Sequence, residues 1–249
     1  MINIKNFNEK IIKKVNGNSL VGAKLNRANL IGAELRNAVM TRSNLRYANL
    51  SYSNLIRADL TGSDLTKANL QRTILGGANL TRCDLTGANL YFVKIELSCL
   101  NNADMNKVFM KYAEAGASTF LYTNMYRVNA EFANFTNSIF EGANLKSAIL
   151  FSTKLVGANL SRANLNCADL TYADLTNADL RNADLTNADF TNADLTGADL
   201  RGSNYCDAIL AGAILTGAIF TADQIRAVQS STRRNRPARN AEGEDFDFV

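Results

Sequence analysis

The apolar positions of this chain recur every five residues. From Leu20 to Ile225 each residue whose number is a multiple of five is the centre of a unit, and nearly all centres are Leu, Ile, Met or Phe. Ala115, Ala130 and Tyr205 are the exceptions. Two residues before each centre, from Ala23 to Ala218, only Ala, Ser, Thr, Cys or Val occurs. In the most regular run, Ala168 to Leu200, the residue between them is always Asp. A helix turns about 100° per residue, so side chains five apart smear around its surface. A straight strand alternates with period two, and an odd repeat flips the apolar set from face to face. One arrangement keeps every centre inward. Small residue, polar residue and centre form a short extended piece, and the next two residues turn a corner. Corners taken in one sense wind a coil, and stacked coils make a solenoid that buries a continuous core.

The phrase ADLTYADLTNADLRNADLTNADFTNADLTGADL resembles the A(D/N)LXX motif of pentapeptide-repeat proteins, and the regular ADLTN units look most like cyanobacterial members. The resemblance implies an all-β fold: a right-handed, quadrilateral β-helix with four pentads per coil. At twenty residues per coil the repeats make about ten coils and, with strands ~4.8 Å apart, a rod about 50 Å long. Inside it, Phe120 faces Ala130 across one coil and Ala115 stacks under Phe135, so large beside small holds the core volume near constant. The stretch Tyr91–Phe140 is therefore a repacked part of one solenoid. The second corner slot often holds Gly or Asn, as at Gly22, Gly62, Asn177 and Asn192, which suits the positive φ of a type II turn. Arg42, Arg72, Arg82 and Phe92 in that slot suggest a different corner geometry there.

Both ends of a solenoid need covering. Phe7, Ile11 and Val15 are four apart, with Lys10, Lys13 and Lys14 on other faces and Gly17 as a stop, which predicts an α-helical cap over 6–15 within an N-terminal segment 1–18. The β-helix is expected over 19–225. At its far end Ile209, Ile214 and Ile219 take the outward slot where Asp stood, so a short helix over 222–229 or a homodimer through the C-terminal coil is expected to cover them. Residues 226–249 hold that helix and a low-order tail in which Arg233, Arg234, Arg236 and Arg239 precede Glu242, Glu244, Asp245 and Asp247. The tail reads as a solubilising end or a short docking motif.

The chemistry is limited. With no histidine there is no Ser-His or Cys-His couple and no histidine metal site. The four cysteines lack zinc spacing, and no phosphate-binding glycine loop is present. The repeated aspartates read as a solvated face. No catalytic, cofactor-binding or metal-binding residue is expected, and the chain is read as a non-enzyme. Cys83 fills an inward small slot, whereas Cys167 and Cys206 lie on corners roughly 10 Å apart by coil spacing, too far for a disulfide. Free thiols, no apolar run near the length of a membrane span and no signal-like N-terminus suggest a cytoplasmic protein.

Sorting corner residues by coil gives two candidate surfaces. One collects the aromatics Tyr52, Tyr91, Phe92, Tyr112, Phe132, Phe151 and Tyr172, a surface for a protein partner. The next is a basic edge of Arg27, Arg46, Lys67, Lys107, Arg127 and Lys146. Neighbouring acids dilute that edge, so nucleic acid and membrane are disfavoured as partners. Charge is uneven along the rod. Residues 20–165 hold 16 Lys+Arg and 9 Asp+Glu, a balance of +7, while residues 166–225 hold 2 and 9, a balance of −7. The resemblance also brings the family's best-known activity, a dimeric acidic rod that occupies the DNA site of a type II topoisomerase and confers quinolone resistance. Mimicry needs sustained negative charge, and here the repeats sum to zero, 18 against 18. The leading expectation is a non-catalytic, regulatory protein-interaction scaffold; a topoisomerase modulator and a secreted bacterial effector are the alternatives.

Overall fold

The computed structural model describes residues 1–17 and 19–221. Parallel bridges join residues twenty apart in an unbroken series, from Lys24 to Asn44 through to Asp199 and Ile219. Each coil is therefore four pentads, and each pentad contributes one short side and one corner.

One pentad shows how the backbone is satisfied. Asn44 N–H donates to the Ala23 carbonyl of the preceding coil at 2.9 Å, and Leu45 N–H donates to Asp64 of the following coil at 2.7 Å. Tyr47 N–H reaches Thr66 at 3.0 Å, and Ala48 N–H closes the corner onto Leu45 at 2.9 Å. The fifth donor, Arg46 N–H, lies at the corner and is taken by the Asn44 side-chain oxygen at 3.2 Å. No N–H of the pentad is left unpaired, as a buried backbone requires. This gives the Asp or Asn before each centre its role. Asp59 Oδ1 accepts both Thr61 N–H at 3.0 Å and Thr61 Oγ1–H at 2.6 Å, and Asp184 does the same for Thr186. These side chains are half-buried corner caps rather than the plain solvated face expected from sequence.

The second corner slot has positive φ at every pentad from Gly22 to Gly217. Arg42, Arg72, Arg82 and Phe92, at φ 53–57°, follow the same geometry, which corrects the expectation of a different corner. From Gly22 to Gly197 each such slot donates its N–H to the next coil, as Arg42 does to Thr61 at 2.9 Å, so along this ladder the left-handed conformation is held whatever the side chain.

The centres and small slots pack inside. Leu45 through Leu195 are almost wholly buried, and each buried Leu contributes ~1.5–3 kcal/mol relative to exposure. Inward hydroxyls do not interrupt this core, because most find a carbonyl one coil back, while Thr153 and Ser203 bond the carbonyl three residues before them and Ser43 meets the Ser63 hydroxyl. Ser53 donates to Leu30 at 2.7 Å and Ser138 to Ala115 at 2.8 Å. Cys83 follows suit onto Leu60, and its burial pushes the thiol up to about 12. All four cysteines are free. The irregular middle repacks as volume conservation demands. Phe120 stacks on Phe140 at 4.7 Å with Phe135 edge-on to both, while Ala115 and Ala130 are fully buried beside them.

The N-terminus departs from expectation. Residues 6–15 form no helix. Instead β1 (Ile2–Lys5) and β2 (Ile11–Val15) pair as an antiparallel hairpin. Its turn is built on Asn6, whose Oδ1 accepts from the N–H groups of Asn8 and Lys10, with Glu9 at φ 58°. Ile4 is buried in the solenoid core, while Phe7 and Ile11, two of the residues that suggested a helix, are 54% and 42% exposed. The physical reason lies in the first coil, which presents unpaired backbone at its outer edge. A helix satisfies its backbone groups internally along its length and offers no edge of strand partners to the coil. The hairpin offers Lys5 C=O to Glu34 N–H at 2.9 Å and forms an antiparallel bridge between Asn6 and Ala33. At the other end Ile209 and Ile219 are exposed, at 41% and 45%. The helix expected over 222–229 and the tail to Val249 lie outside the described residues.

Candidate interaction surface

The bridge register places the candidate residues. Asn29, Asn49, Asn69, Asn89, Phe109, Asn129 and Ile149 stack in one column on successive coils. The corner before this column carries the basic set and the corner after it carries the aromatic set. The two surfaces expected from sequence thus flank a single side of the rod.

On the aromatic corner, Phe92 and Tyr112 stack at 4.8 Å and 13°, and Tyr112 and Phe132 at 5.2 Å and 9°. Tyr91 meets Phe92 edge-on at 4.6 Å. Beyond Phe132 the column position is Ser152, and the neighbouring Phe151 fills the break, lying 5.4 Å from Phe132 and 5.6 Å from Tyr172. Tyr52 stands two coils from Phe92, with one coil between them. Arg72 bridges that coil, its guanidinium 6.0 Å from the Tyr52 ring and 5.4 Å from Phe92. Lys111 lies 5.4 Å from Tyr112 and 5.1 Å from Phe132. Lys111 also bonds Glu131 at 2.6 Å; that bond raises the Lys111 pKa and holds Glu131 below the usual carboxylate range. Coil spacing forces rings of one column face to face, so the ladder offers ring edges to solvent rather than ring faces.

The basic corner is less continuous. Arg27, Arg46 and Lys67 gather around Tyr47, each 5.7–5.9 Å from the ring centroid. Gly87 interrupts the column before Lys107, and Arg127 lies 5.0 Å from Tyr126. Arg46 is paired with Asp64 at 3.2 Å, which raises its pKa. Burial pushes Asp64 up, but hydrogen bonds from Thr66 and Arg46 outweigh it and leave the carboxyl below its ordinary value.

Between the corners, Asn69 Nδ2 donates to Asn49 and Asn89 Nδ2 to Asn69, both at 3.2 Å. Phe109 ends this amide ladder and stacks on Tyr91 at 5.7 Å. An open depression of about 440 Å³ lies here, lined by Gln71, Asn89, Tyr91, Phe109, Lys111 and Tyr112. Sorting corners by residue type alone misses Arg72, Lys111, Tyr47 and Phe109. The signal for them is nonetheless in the sequence, since all four sit on the same corners or in the column between them. No group of side chains able to hold a metal ion occurs among the described residues.

The sequence profile of pentapeptide repeats matches eight copies, over residues 20–62, 63–106, 123–162, 150–182, 163–202 and 183–221. The chain belongs to the pentapeptide-repeat family. With membership comes the right-handed β-helix class. The unmatched gap, 107–122, includes the irregular centre Ala115 and the heart of the aromatic ladder. Among solved structures, HetL from the cyanobacterium Nostoc sp. strain PCC 7120, a pentapeptide-repeat protein involved in heterocyst differentiation regulation, is 29% identical. It covers 80% of this chain and 92% of its own, with a TM-score of 0.40. QnrB1, a plasmid-mediated fluoroquinolone resistance protein, is 21% identical over 74% of this chain and 95% of its own, with a TM-score of 0.44. Rfr23 from the cyanobacterium Cyanothece 51142 is 29% identical over 44% of this chain and 61% of its own, with a TM-score of 0.28. No curated protein matches the chain.

Proposed function

We propose that this pentapeptide-repeat protein is a non-catalytic scaffold that recognises another protein through the side bounded by the aromatic and basic corners. The observation that carries this reading is the register of Tyr52, Phe92, Tyr112, Phe132 and Tyr172 on one corner, joined by Arg72, Lys111 and Phe151 into one surface band in which Tyr52, Phe92, Phe132 and Tyr172 are exposed and Tyr112 is half-buried. Aromatic and arginine side chains are the commonest anchors of protein interfaces. A rigid solenoid holds them at fixed spacing, so little side-chain entropy is lost on binding. Chemistry has little to work with: the interior is filled, and the aspartates that precede the centres are engaged as corner caps. A cytoplasmic setting belongs to this reading, supported by the four unpaired cysteines. Topoisomerase mimicry is the weaker reading, because the acidic coils are confined to the C-terminal part while the N-terminal coils are basic.

The test changes Phe92, Tyr112 and Phe132 together to serine. These positions lie on a corner and outside the core, so the melting temperature is expected to fall by a few degrees at most. Capture of partner proteins from native lysate is expected to be lost. Retained capture by a folded triple variant overturns the assignment.

A further inference from the structure

The net positive charge of the N-terminal coils lies on one side of the rod. On the two corners and the column between them, residues 26–152 carry eight cations: the six of the basic edge, Arg72 and Lys111. They carry one acid, Glu131, already paired with Lys111. Subtracting from the totals for residues 20–165, the remaining sides hold 16 − 8 = 8 cations and 9 − 1 = 8 acids, which cancel. Farther along the same side the cations stop and Asp169, Asp189 and Asp207 take over. This side is thus cationic and aromatic first, then acidic.

We propose that the occupant of this side is the chain's own segment 242–249, folded back along the rod. The inference rests on the interaction surface proposed above. The sequence of the segment, EGEDFDFV, combines four carboxylates with two phenylalanines and contains no cation. It is complementary to the side in both charge and aromatic content. The residues that lead to it, STRRNRPARN, are basic, so a chain returning from Thr221 lays its basic part over the acidic coils and its acidic part over the cationic coils. The order of charge matches only in this returning direction. In an extended segment Phe246 and Phe248 project to one edge and Asp245 and Asp247 to the other. Laid on the amide column, the phenylalanines meet the aromatic corner and the aspartates meet the basic one.

Reach agrees with this. From the level of Gly212 to that of Tyr112 is five coils, about 24 Å at 4.8 Å each. The twenty residues 222–241 reach at most about 66 Å at ~3.3 Å each, enough to cover that height and to cross from the corner of Thr221, diagonally opposite the aromatic one, to this side. A tether long enough to reach gives an effective concentration on the order of millimolar, enough to populate a weak contact within one molecule. The docked tail then covers the surface that a partner protein must reach, and the partner has to displace it.

Zero-length carbodiimide coupling of the purified full-length chain, read by peptide mass spectrometry, tests this. The Lys111–Glu131 pair, at 2.6 Å, supplies an internal control that the reagent reaches this side. Expected links join the carboxylates of 242–247 to Lys67, Lys107 or Lys111. They form at monomer mass, with a yield unchanged over a tenfold dilution. The F246S/F248S variant, whose carboxylates remain, is expected to lose about tenfold in yield. Links spread evenly to Lys24, Lys94 and Lys154 on the other sides, or no tail links beside an intact control, overturn the proposal. So do links between isotopically distinct copies, which assign the segment to a second molecule. No partner protein enters the measurement. A triple-serine variant that loses its partner while tail links are absent therefore leaves the interaction surface standing and removes only the fold-back.

Discussion

At the scale of single residues, the corner decides more than the side chain that occupies it. Leu97 is the clearest case. It sits at φ 58°, is 74% exposed, and its N–H donates to Gly116 at 3.1 Å. An L-residue in this conformation carries about 1–2 kcal/mol of strain, and an exposed leucine recovers little by packing. Glycine relieves the strain but costs roughly 0.5–1 kcal/mol in unfolded-state entropy. Leu97→Gly is accordingly expected to stabilise the protein by about 0.5–1 kcal/mol in denaturant titration, with the midpoint moving up. A downward shift would mean that the corner is less strained than its dihedral implies. The same logic explains why Arg42 and Phe92 in the second slot are misleading guides to corner geometry. Residue preference at a turn is a weak local term. The inter-coil hydrogen bond donated by that slot is strong, repeated at every coil and invisible in a single pentad.

At the scale of elements, the pentad is legible in the sequence and the cap is not. Period five excludes helix and straight strand by geometry, so the spacing alone turns the centres from Leu20 to Leu215 inward. Side-by-side placement of Tyr112 and Phe132 follows from the same repeat only once the family resemblance supplies four pentads per coil. The joining of the aromatic and basic corners across the Asn49–Asn69–Asn89 column requires the order of corners around the coil. The N-terminal segment has no repeat to read. Phe7, Ile11 and Val15 fit a helical spacing by coincidence, while Ile2 and Ile4 alternate over too few residues to outweigh it. What selects the hairpin is non-local: the outer edge of the first coil needs backbone partners at Ala33 and Glu34, and a strand supplies them. Ile4 is the plug of that cap, 2% exposed against the first coil. Ile4→Ser should therefore unlatch the hairpin and the first coil, at a cost of about 2–4 kcal/mol for a buried large-to-small and polar change. Amide exchange reads this directly. Protection is expected to fall in residues 2–35 and to persist from Leu60 to Leu195, because a solenoid couples each coil to its neighbours only. Uniform loss of protection would show instead that the rod unfolds as one unit.

At the scale of the whole molecule, charge order distinguishes this rod from a uniformly acidic one. The +7 of residues 20–165 and the −7 of residues 166–225 make a dipole of charge along the axis, and at high salt that dipole is silent, since the screening length near 0.15 M is about 8 Å. Near 0.01 M it grows to about 30 Å, comparable with half the rod, and the basic part of one molecule then attracts the acidic part of the next. Full-length protein is expected to show reversible association by light scattering as salt is lowered across that range. The fold-back adds a second expectation of definite sign. If the acidic part of segment 242–249 shields the cationic side, the quadruple change E242Q/E244Q/D245N/D247N exposes that side, and association should begin at higher salt than in the parent chain. A parent that scatters equally at both salt concentrations contradicts the dipole. A variant indistinguishable from an associating parent contradicts the shielding and leaves the dipole intact, because the two effects arise from different residues: the dipole from the repeats, the shielding from a segment that follows them.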